Sequence, residues 1–396
     1  MMQTGNYRFD RVEFAGSLGD LGTLIPLAVP LILVTGLNVT SVLLWIGLLY
    51  IASGLYYKLP IPVQPLKVVA AIAIAYPEKI TMATVAAAGI MIGVILLLLA
   101  LTGLINWLAG FFSKPIVRGI QLGLGLILIA KGIEFIRRPE LFINHTNVIN
   151  LGSGISLNLI TGIISVLVVL FLISNKRYPA ALVIVTAGII VGVCLGTLKD
   201  ATLVFGSLPL SALKLNTPDF LNGFTLLVIP QLPLTIGNAI IGTADTCKSL
   251  FGQRDEANRV THKNLSISMG IANIMAGLTA GMPVCHGAGG LAAHYRFGAR
   301  TGGSNIIIGL IFLVIALVFG SIAVSLLSSI PCAVLGTLLL FAGLELALLI
   351  RDVKEKKDLF IVFIIAGIGF ATTNMGVAFL TGMIIDIIIK RKGISI

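Results

Sequence analysis

Two Pro-interrupted stretches carry the residues best suited to chemistry. They are Leu59–Ala75, which reads LPIPVQPLKVVAAIAIA, and Gly281–Gly303, which reads GMPVCHGAGGLAAHYRFGARTGG; both lie between long apolar runs. Proline lacks a backbone donor and fixes φ, so it suits the start of a helix and not its middle. Each stretch is therefore predicted to be a short strand that becomes a half-helix inside a membrane. The first N–H groups of such a helix have no helical partner and are suited to binding an anion.

Lys67 is predicted near the start of the first half-helix, where its charge is on the unfavourable end of the helix dipole. A cation inside a membrane is costly as well. An anion held between Lys67 and the helix start would lower both costs, so the lysine is a candidate ligand contact. The alternatives are a structural carboxylate partner or an ammonium group that extends to the membrane interface.

Other groups at the two breaks extend this candidate site. The two half-helix starts are predicted to supply free backbone amides near Leu66, Lys67 and Val68, and near His286, Gly287 and Ala288. Glycine at 287, 289 and 290 would let a ligand approach the backbone closely. Gln64 can donate its amide to a substrate oxygen. His286 can donate to an oxyanion or relay a proton, or it can simply be satisfied by the backbone.

Two further spans carry polar residues that favour a cavity. Asp20 lies in the glycine-rich run GSLGDLGTLIP and is a candidate proton carrier, partner of Lys67 or substrate ligand, with a structural hydrogen-bonding role as the alternative. Asn238 is its counterpart in the second half. It shares a helix face with Thr235 and Gln231, and this face is expected to meet the half-helix starts. Asp245 is a second candidate for ion coupling, or an interfacial residue.

Composition places these residues in a membrane protein. The chain has 396 residues, of which 57% are hydrophobic and 11% charged, and its mean hydropathy is +1.06. The pattern predicts an all-α polytopic protein of 14 segments, in which spans 3 and 10 are the broken ones. Seven segments fall in 1–198 and seven in 224–396, with 199–223 as connector. An odd number per half inserts the halves in opposite orientations, which predicts a seven-plus-seven inverted repeat.

Charge placement indicates the orientation. With the N-terminus inside, most of the 27 lysines and arginines lie on the cytoplasmic side. The net charge of +11 therefore reports topology and not a nucleic-acid partner. No phosphate-loop motif, nucleophile–base pair or metal-ligand spacing is present, and the four cysteines are scattered. The sequence thus argues against an enzyme and predicts no cofactor and no metal site.

The motifs MPVCHGAGGLAAHYRFGARTGG, PVQPLK and GSLGDLGTLIP resemble those of the molybdate transporter family, which is related to the sulfate permeases. The resemblance implies a fold like that of the uracil and anion-exchanger transporters. It implies a core domain (about 14–101 and 224–324) and a gate domain (about 116–198 and 331–389), with substrate between the starts of spans 3 and 10. A prokaryotic member without a C-terminal regulatory domain is expected. The substrate site implied here comprises Gln64, Pro65, Leu66, Lys67, Cys285, His286, Gly287 and Ala288, together with facing positions on the helices of Asp20 and Asn238.

The resulting hypothesis is a secondary active transporter for a tetrahedral oxyanion in the plasma (inner) membrane, with both termini cytoplasmic. Molybdate is the expected substrate, with sulfate or tungstate as alternatives, and proton coupling through Asp20 or Asp245 is expected. An anion channel of the same fold is the rival, and a nucleobase carrier is disfavoured by Lys67. The sequence leaves open a homodimer in the bilayer.

Overall fold

The computed structural model describes residues 3–4, 7–109, 111–143, 145–151, 154–172, 175, 179–199, 205–210 and 212–392. The described chain is mostly helical, with short paired strands. Its first half contains, in chain order, β1 (Gln3–Thr4), β2 (Tyr7–Arg8), α1 (Arg11–Ser17), α2 (Leu21–Thr35), α3 (Val39–Tyr57), β3 (Gln64–Pro65), α4 (Lys67–Ala75), α5 (Met82–Thr102), α6 (Ile105–Ala109), α7 (Lys114–Arg137), β4 (Glu140–Phe142), β5 (His145–Val148), β6 (Asn150–Leu151), β7 (Ile155–Ser156), α8 (Leu157–Leu172) and α9 (Ala180–Cys194).

The second half is also helical and includes two single-turn 3₁₀ segments. It contains, in chain order, α10 (Thr217–Asn222), α11 (Ile229–Leu234), α12 (Thr243–Phe251), the 3₁₀ turn Asp255–Arg259, α13 (His262–Leu278), β8 (Val284–Cys285), α14 (Ala288–Arg296), α15 (Gly303–Ser328), α16 (Cys332–Ala347), the 3₁₀ turn Leu348–Asp352, α17 (Lys356–Thr372) and α18 (Met375–Lys392).

Apolar helices dominate the molecule, so the prediction of a helical, multi-pass membrane protein is confirmed. Seven described helices have the length and hydropathy to cross a bilayer, and α8 and α9 are shorter apolar helices. The hairpins β4–β5 and β6–β7, which lie between α7 and α8, were not predicted.

The apolar run of residues 14–34 in the sequence predicts one span, and the structure breaks this span at residues 18–20. Helix α1 ends at Ser17 and α2 begins at Leu21, with Asp20 as its N-cap residue. Gly16 and Gly19 explain the close packing of this turn. A β-carbon at Gly16 would collide with the backbone of Ala299, and one at Gly19 would lie 2.9 Å from the carbonyl oxygen of Ala293. The glycines therefore allow the broken span to pack directly on α14 and the segment that follows it.

Helices α10, α11 and α12 form one 35-residue span, Thr217–Phe251. The π-helical stretches Gly223–Val228 and Thr235–Gly242 interrupt its regular winding. Pro230 and Pro233 remove backbone donors near these stretches, which accounts locally for the departure from α-helical bonding. The helix begins at Thr217, so the predicted connector of residues 199–223 extended too far into this span.

The two broken segments meet as predicted for a shared site. Strand β3 pairs antiparallel with β8, with Gln64 opposite Cys285 and Pro65 opposite Val284. Helices α4 and α14 follow directly from these strands. Every residue of α4 after Lys67 is buried, so this half-helix is enclosed by protein and not by lipid.

Helix packing divides the described chain into two groups. Helix α3 packs along α15, and α5 packs along α13. Helix α7 packs along α16 and α17, and α8 packs on α16. This grouping favours the expected core and gate domains, which stay a prediction, and contacts of α4 with α7 and of α2 with α16 join the two groups. Exchanging the halves would convert the α3–α15 pair into the α13–α5 pair, which favours the seven-plus-seven inverted repeat; the repeat itself stays a prediction.

Candidate functional site

Buried asparagines fix the two strands at the centre of the molecule. Asn273 donates from Nδ2 to the carbonyl oxygen of Val284 (2.9 Å) and accepts at Oδ1 from the Val284 N–H (2.7 Å). Asn305 donates to the carbonyl oxygen of Ile61 (2.6 Å). The Leu66 N–H donates across the strand pair to Pro283 (3.0 Å). These bonds hold the starts of α4 and α14 together. Neither asparagine was identified from the sequence, although each is a polar amide side chain within an apolar span.

Asp20 and Gln64 form a buried pair beside the start of α14. The Gln64 Nε2 atom donates to Asp20 Oδ1 at 2.6 Å, and both side chains are almost fully buried. A β-carbon at Gly290 would lie 2.7 Å from Asp20 Oδ1, and one at Gly287 would collide with Gln64 Oε1. The two glycines therefore leave the space that this pair occupies, and close approach of a ligand to them stays a prediction. Within the described chain Asp20 Oδ2 and Gln64 Oε1 lack a hydrogen-bond partner.

The start of α4 is capped by a side chain. Gln231, on the long span that also carries Asn238, accepts at Oε1 from the Val68 N–H (2.8 Å). Its Nε2 atom donates to the hydroxyl of Thr235 (2.9 Å). The sequence predicted free amides at both half-helix starts, but at α4 the Val68 amide already has an acceptor. The two starts are therefore not equivalent.

The start of α14 is open by comparison. The N–H groups of Ala288 and Gly289 lie in the first turn of the helix and donate no hydrogen bond within the described residues. A β-carbon at Gly289 would meet no atom within 4 Å. Gly289 has this open space beside it because it lines a cavity of about 360 Å³. Its lining comprises Gly19, Gly22, Thr23, Pro26, Val169, Leu172, Asn175, Pro179, Ala180, Ala181, Gly289, Ala292, Ala293, Arg296, Phe297, Thr337, Leu338, Phe341, Ala342 and Glu345.

This cavity separates the two helix groups. One wall is formed by α2 and α14, and the other by α8, α9 and α16. Thr23 and Thr337 place hydroxyl groups on opposite walls. Glu345 lines the cavity on the α16 side. A helix N-terminus at the edge of a cavity is suited to receiving an anion.

Lys67 is the first residue of α4 and is partly buried. Within the described residues its ammonium group makes no hydrogen bond or ion pair, but it attracts the carboxylates of Asp20 and Glu345. It also acts electrostatically on the thiol of Cys285. Lys67 does not line the 360 Å³ cavity itself. Its charge therefore lies among the paired breaks, without a partner in contact.

His286 and Cys285 are engaged in holding the strands. The Nδ1 atom of His286 lies 2.8 Å from the carbonyl oxygen of Pro62, and its Nε2 atom lies 2.8 Å from the hydroxyl of Ser268. A carbonyl oxygen only accepts, so Nδ1 carries the proton and Nε2 accepts. Both ring nitrogens are thus used, which favours the structural alternative for this histidine. The Cys285 thiol contacts the carbonyl oxygen of Pro65 at 3.6 Å.

The remaining predicted residues fall in different places. Asn238 is partly buried on the second π-helical stretch, and nearby Gly242 lies close to Ala288, where a β-carbon would be 3.5 Å from the alanine methyl. The Asn238 side chain has no hydrogen-bond partner among the described residues. Asp245 is exposed on α12, and the structure does not bring it to Asp20 or Lys67. Leu66 is fully buried as the N-cap residue of α4.

Comparison with known proteins identifies relatives of this arrangement. A family model described as a molybdate transporter of the MFS superfamily matches residues 12–128 and 223–346. Molybdate transporter 2 of Arabidopsis thaliana is 34% identical over 414 residues, which cover 96% of this chain and 87% of the relative. Molybdate transporter 1 of the same plant is 31% identical, covering 98% and 90%. A probable sulfate transporter of Mycobacterium tuberculosis is 26% identical, covering 68% and 48%.

Solved structures show a similar fold. The transmembrane domain of a cyanobacterium bicarbonate transporter, BicA, matches with a TM-score of 0.64 at 17% identity, covering 97% of this chain and 99% of that one. Murine Solute Carrier 26 family member A9, an anion transporter, matches with a TM-score of 0.69 at 17% identity, covering 98% and 70%. The paired half-helices, the sequence motifs and the relatives agree: this chain belongs to the molybdate transporter family, which consists of transporters and not enzymes.

Proposed function

We propose that the protein is a secondary transporter that moves molybdate across a membrane by alternating access. The observation that supports the proposal is the open start of α14, where Gly289 lines the cavity and the preceding Ala288 begins the helix. The dipole of α14 favours a negative charge at this end. Lys67 adds a full positive charge at the start of the neighbouring half-helix, and the relatives named as molybdate transporters support the substrate.

The site is asymmetric, since Gln231 occupies the Val68 amide of α4. The α14 start and Lys67 therefore supply the main attraction for a dianion. Asn238 offers a side-chain amide from the adjacent span. Gln64 acts indirectly, because its side-chain amide donates a hydrogen bond to Asp20. His286 and Cys285 position the strands and do not contact the anion.

The cavity supports an open pathway on one side of the membrane. It extends along α14 from Gly289 to Arg296. Arg296 lies on the side that the lysine and arginine distribution assigns to the cytoplasm. In this conformation the proposed site opens inward, between the core helices α2 and α14 and the gate helices α8, α9 and α16. Movement of one group against the other, as in an inverted-repeat transporter, would close this pathway and open the opposite one.

Uptake of a dianion against a negative-inside potential costs about 2.3 kcal/mol per charge per 100 mV. Proton coupling would offset this cost, and Asp20 is the first candidate because its carboxylate is buried, incompletely hydrogen-bonded and attracted to Lys67. Asp245 is exposed on α12 and is a weaker candidate. In Asp20→Asn protein reconstituted in vesicles, uptake should lose its response to an imposed pH gradient. Wild-type uptake that ignores such a gradient would refute proton coupling.

Calorimetry on the purified protein tests the substrate. Molybdate, tungstate and sulfate are titrated separately at two pH values. Lys67→Ala should weaken molybdate binding by at least about tenfold, because charge-assisted hydrogen bonds contribute roughly 1.5–3 kcal/mol. Lys79→Ala is the matched control, since Lys79 is exposed beyond the other end of α4. Unchanged molybdate affinity in Lys67→Ala would refute the proposal that Lys67 binds the anion.

Sulfate is the second candidate substrate, because sulfate transporters are also among the relatives. Molybdate and sulfate are both tetrahedral dianions, so competition for uptake decides between them. An anion channel of the same fold would show conductance without saturable, trans-stimulated exchange. Localisation in the plasma membrane with cytoplasmic termini completes the proposal and is tested by accessibility of tags at the two ends.

A further inference from the structure

A buried glutamine on the gate side has a donor with no acceptor. Gln121 lies on α7 and has no exposed surface. Its Oε1 atom accepts from Arg118 Nη1 at 2.7 Å. Within the described residues its Nε2 atom makes no hydrogen bond. Buried amide groups in native proteins nearly always have partners, so this one requires an explanation.

The orientation of this amide follows from chemistry. A guanidinium group only donates hydrogen bonds, so the oxygen of Gln121 must face Arg118 and the NH₂ group must face away. Arg118 is itself held by Asp352, through Nε to Oδ1 (3.0 Å) and Nη2 to Oδ2 (2.7 Å). Lys114 donates to the carbonyl oxygen of Asp352 at 2.9 Å. The unpartnered donor is therefore fixed by a chain of charged contacts rather than free to rotate.

The position of Gln121 relates it to the proposed site. Val117 and Leu124 lie four residues before it and three after it, so the three residues share one face of α7. Val117 contacts the long span Thr217–Phe251 at Gly237, the residue before Asn238. A β-carbon added at Gly237 would lie 3.2 Å from the Val117 side chain. Helix α7 also packs on α4 and α11, which carry Lys67 and Gln231. This face of α7 therefore packs against the core beside the start of α4, and Gln121, like Lys67, is not among the residues that line the 360 Å³ cavity.

We propose that Gln121 is the gate-domain contact of the transported oxyanion and that Arg118 and Asp352 are its positioning residues. This inference rests on the proposed function, because it requires an oxyanion at the core–gate boundary. The core supplies the α14 amides and Lys67 from one side, and Gln121 supplies a neutral donor from the other. An anion with oxygen atoms on all sides bridges the two domains, so substrate and gate movement are linked through this amide.

Gln121→Met tests the proposal, because methionine has a similar length but no amide donor. The dissociation constant and the KM for molybdate should each rise about tenfold or more, in line with the loss of a hydrogen bond to a charged group. Gln121→Met also removes the acceptor of Arg118 Nη1, so the melting temperature without molybdate is measured beside the dissociation constant, and a lower melting temperature with wild-type affinity would overturn the proposal. Gln253→Met, at an exposed glutamine, is the matched control and should bind molybdate like wild type.

Gln121→Glu provides a second variant in case Gln121→Met fails to fold. It keeps the volume and the contact with Arg118 but replaces the donor with an acceptor, so molybdate binding should weaken more than in Gln121→Met. Wild-type affinity in folded Gln121→Met or Gln121→Glu would overturn the proposal. Wild-type protein that binds none of molybdate, tungstate and sulfate would instead refute the proposed function, which is a distinguishable result.

Discussion

At the scale of residues, two adjacent glycines have different roles. Gly290 is surrounded by the Asp20–Gln64 pair, since an added β-carbon would lie 2.7 Å from Asp20 Oδ1 and 2.5 Å from Gln64 Nε2. Gly289 faces the cavity, where an added β-carbon would meet nothing within 4 Å. The absence of a side chain is thus a packing requirement at one position and an opening for ligand at the other.

Gly290→Ala and Gly289→Ala make this difference measurable. Gly290→Ala should lower unfolding stability by about 1–3 kcal/mol, because a methyl group is forced into filled space. Gly289→Ala should raise it by about 0.5–1 kcal/mol, because alanine is a better helix residue than glycine. Thermal unfolding of the purified proteins in detergent compares the two. Equal losses of stability in both variants would contradict the assignment.

Glu345 provides a second prediction at this scale. Its carboxylate lines the cavity and attracts Lys67, so it opposes an incoming dianion and competes with it for the ammonium group. Glu345→Gln should therefore tighten molybdate binding several-fold, a change of about 1 kcal/mol. Calorimetry measures the molybdate affinity of Glu345→Gln and of the control Glu355→Gln, which changes an exposed glutamate outside the cavity. Weaker binding in Glu345→Gln would instead make the carboxylate a supporting group of the site.

At the scale of elements, the strand and half-helix breaks follow from local sequence, but their contacts do not. Pro62, Pro65 and Pro283 specify where a helix cannot continue, and the breaks occur there. The hydrogen bond between Gln64 and Asp20 joins residues 44 positions apart. The hydrogen bond that the Val68 N–H donates to Gln231 joins residues 163 positions apart. Such contacts depend on how spans pack. For the same reason the orphan amide of Gln121 could not be found from the apolar pattern of α7.

Capping of α4 by Gln231 explains why one half-helix is closed and the other is open. Gln231→Leu should lower stability by about 1–2 kcal/mol, because a buried N–H loses its acceptor. It should also free the Val68 amide as a second anion contact. Thermal unfolding with and without molybdate measures both effects. Thr235→Val is the milder control, since it removes only the acceptor of Gln231 Nε2; a larger loss in Thr235→Val than in Gln231→Leu would place the important bond there instead.

At the scale of the whole molecule, helices α2 and α14 and helices α8, α9 and α16 line one cavity of about 360 Å³ that reaches the start of α14. Overall hydropathy and charge predicted the membrane class and the orientation of the spans. They could not predict which side of the proposed site is open, because conformations open to opposite sides would share one sequence and differ only in packing.

The open side can be tested with a single cysteine. Ala292 is exposed in the cavity one turn after Gly289, and Cys194 is the exposed native thiol among the four cysteines. In Cys194→Ser protein, Ala292→Cys should react with a charged thiol reagent applied to inside-out vesicles, and molybdate should slow the reaction because it occupies the helix start. Leu291→Cys, at a buried neighbour, is the matched control and should stay unreactive. Faster labelling in right-side-out than in inside-out vesicles would reverse the assigned direction of opening, since α14 would then face the exterior.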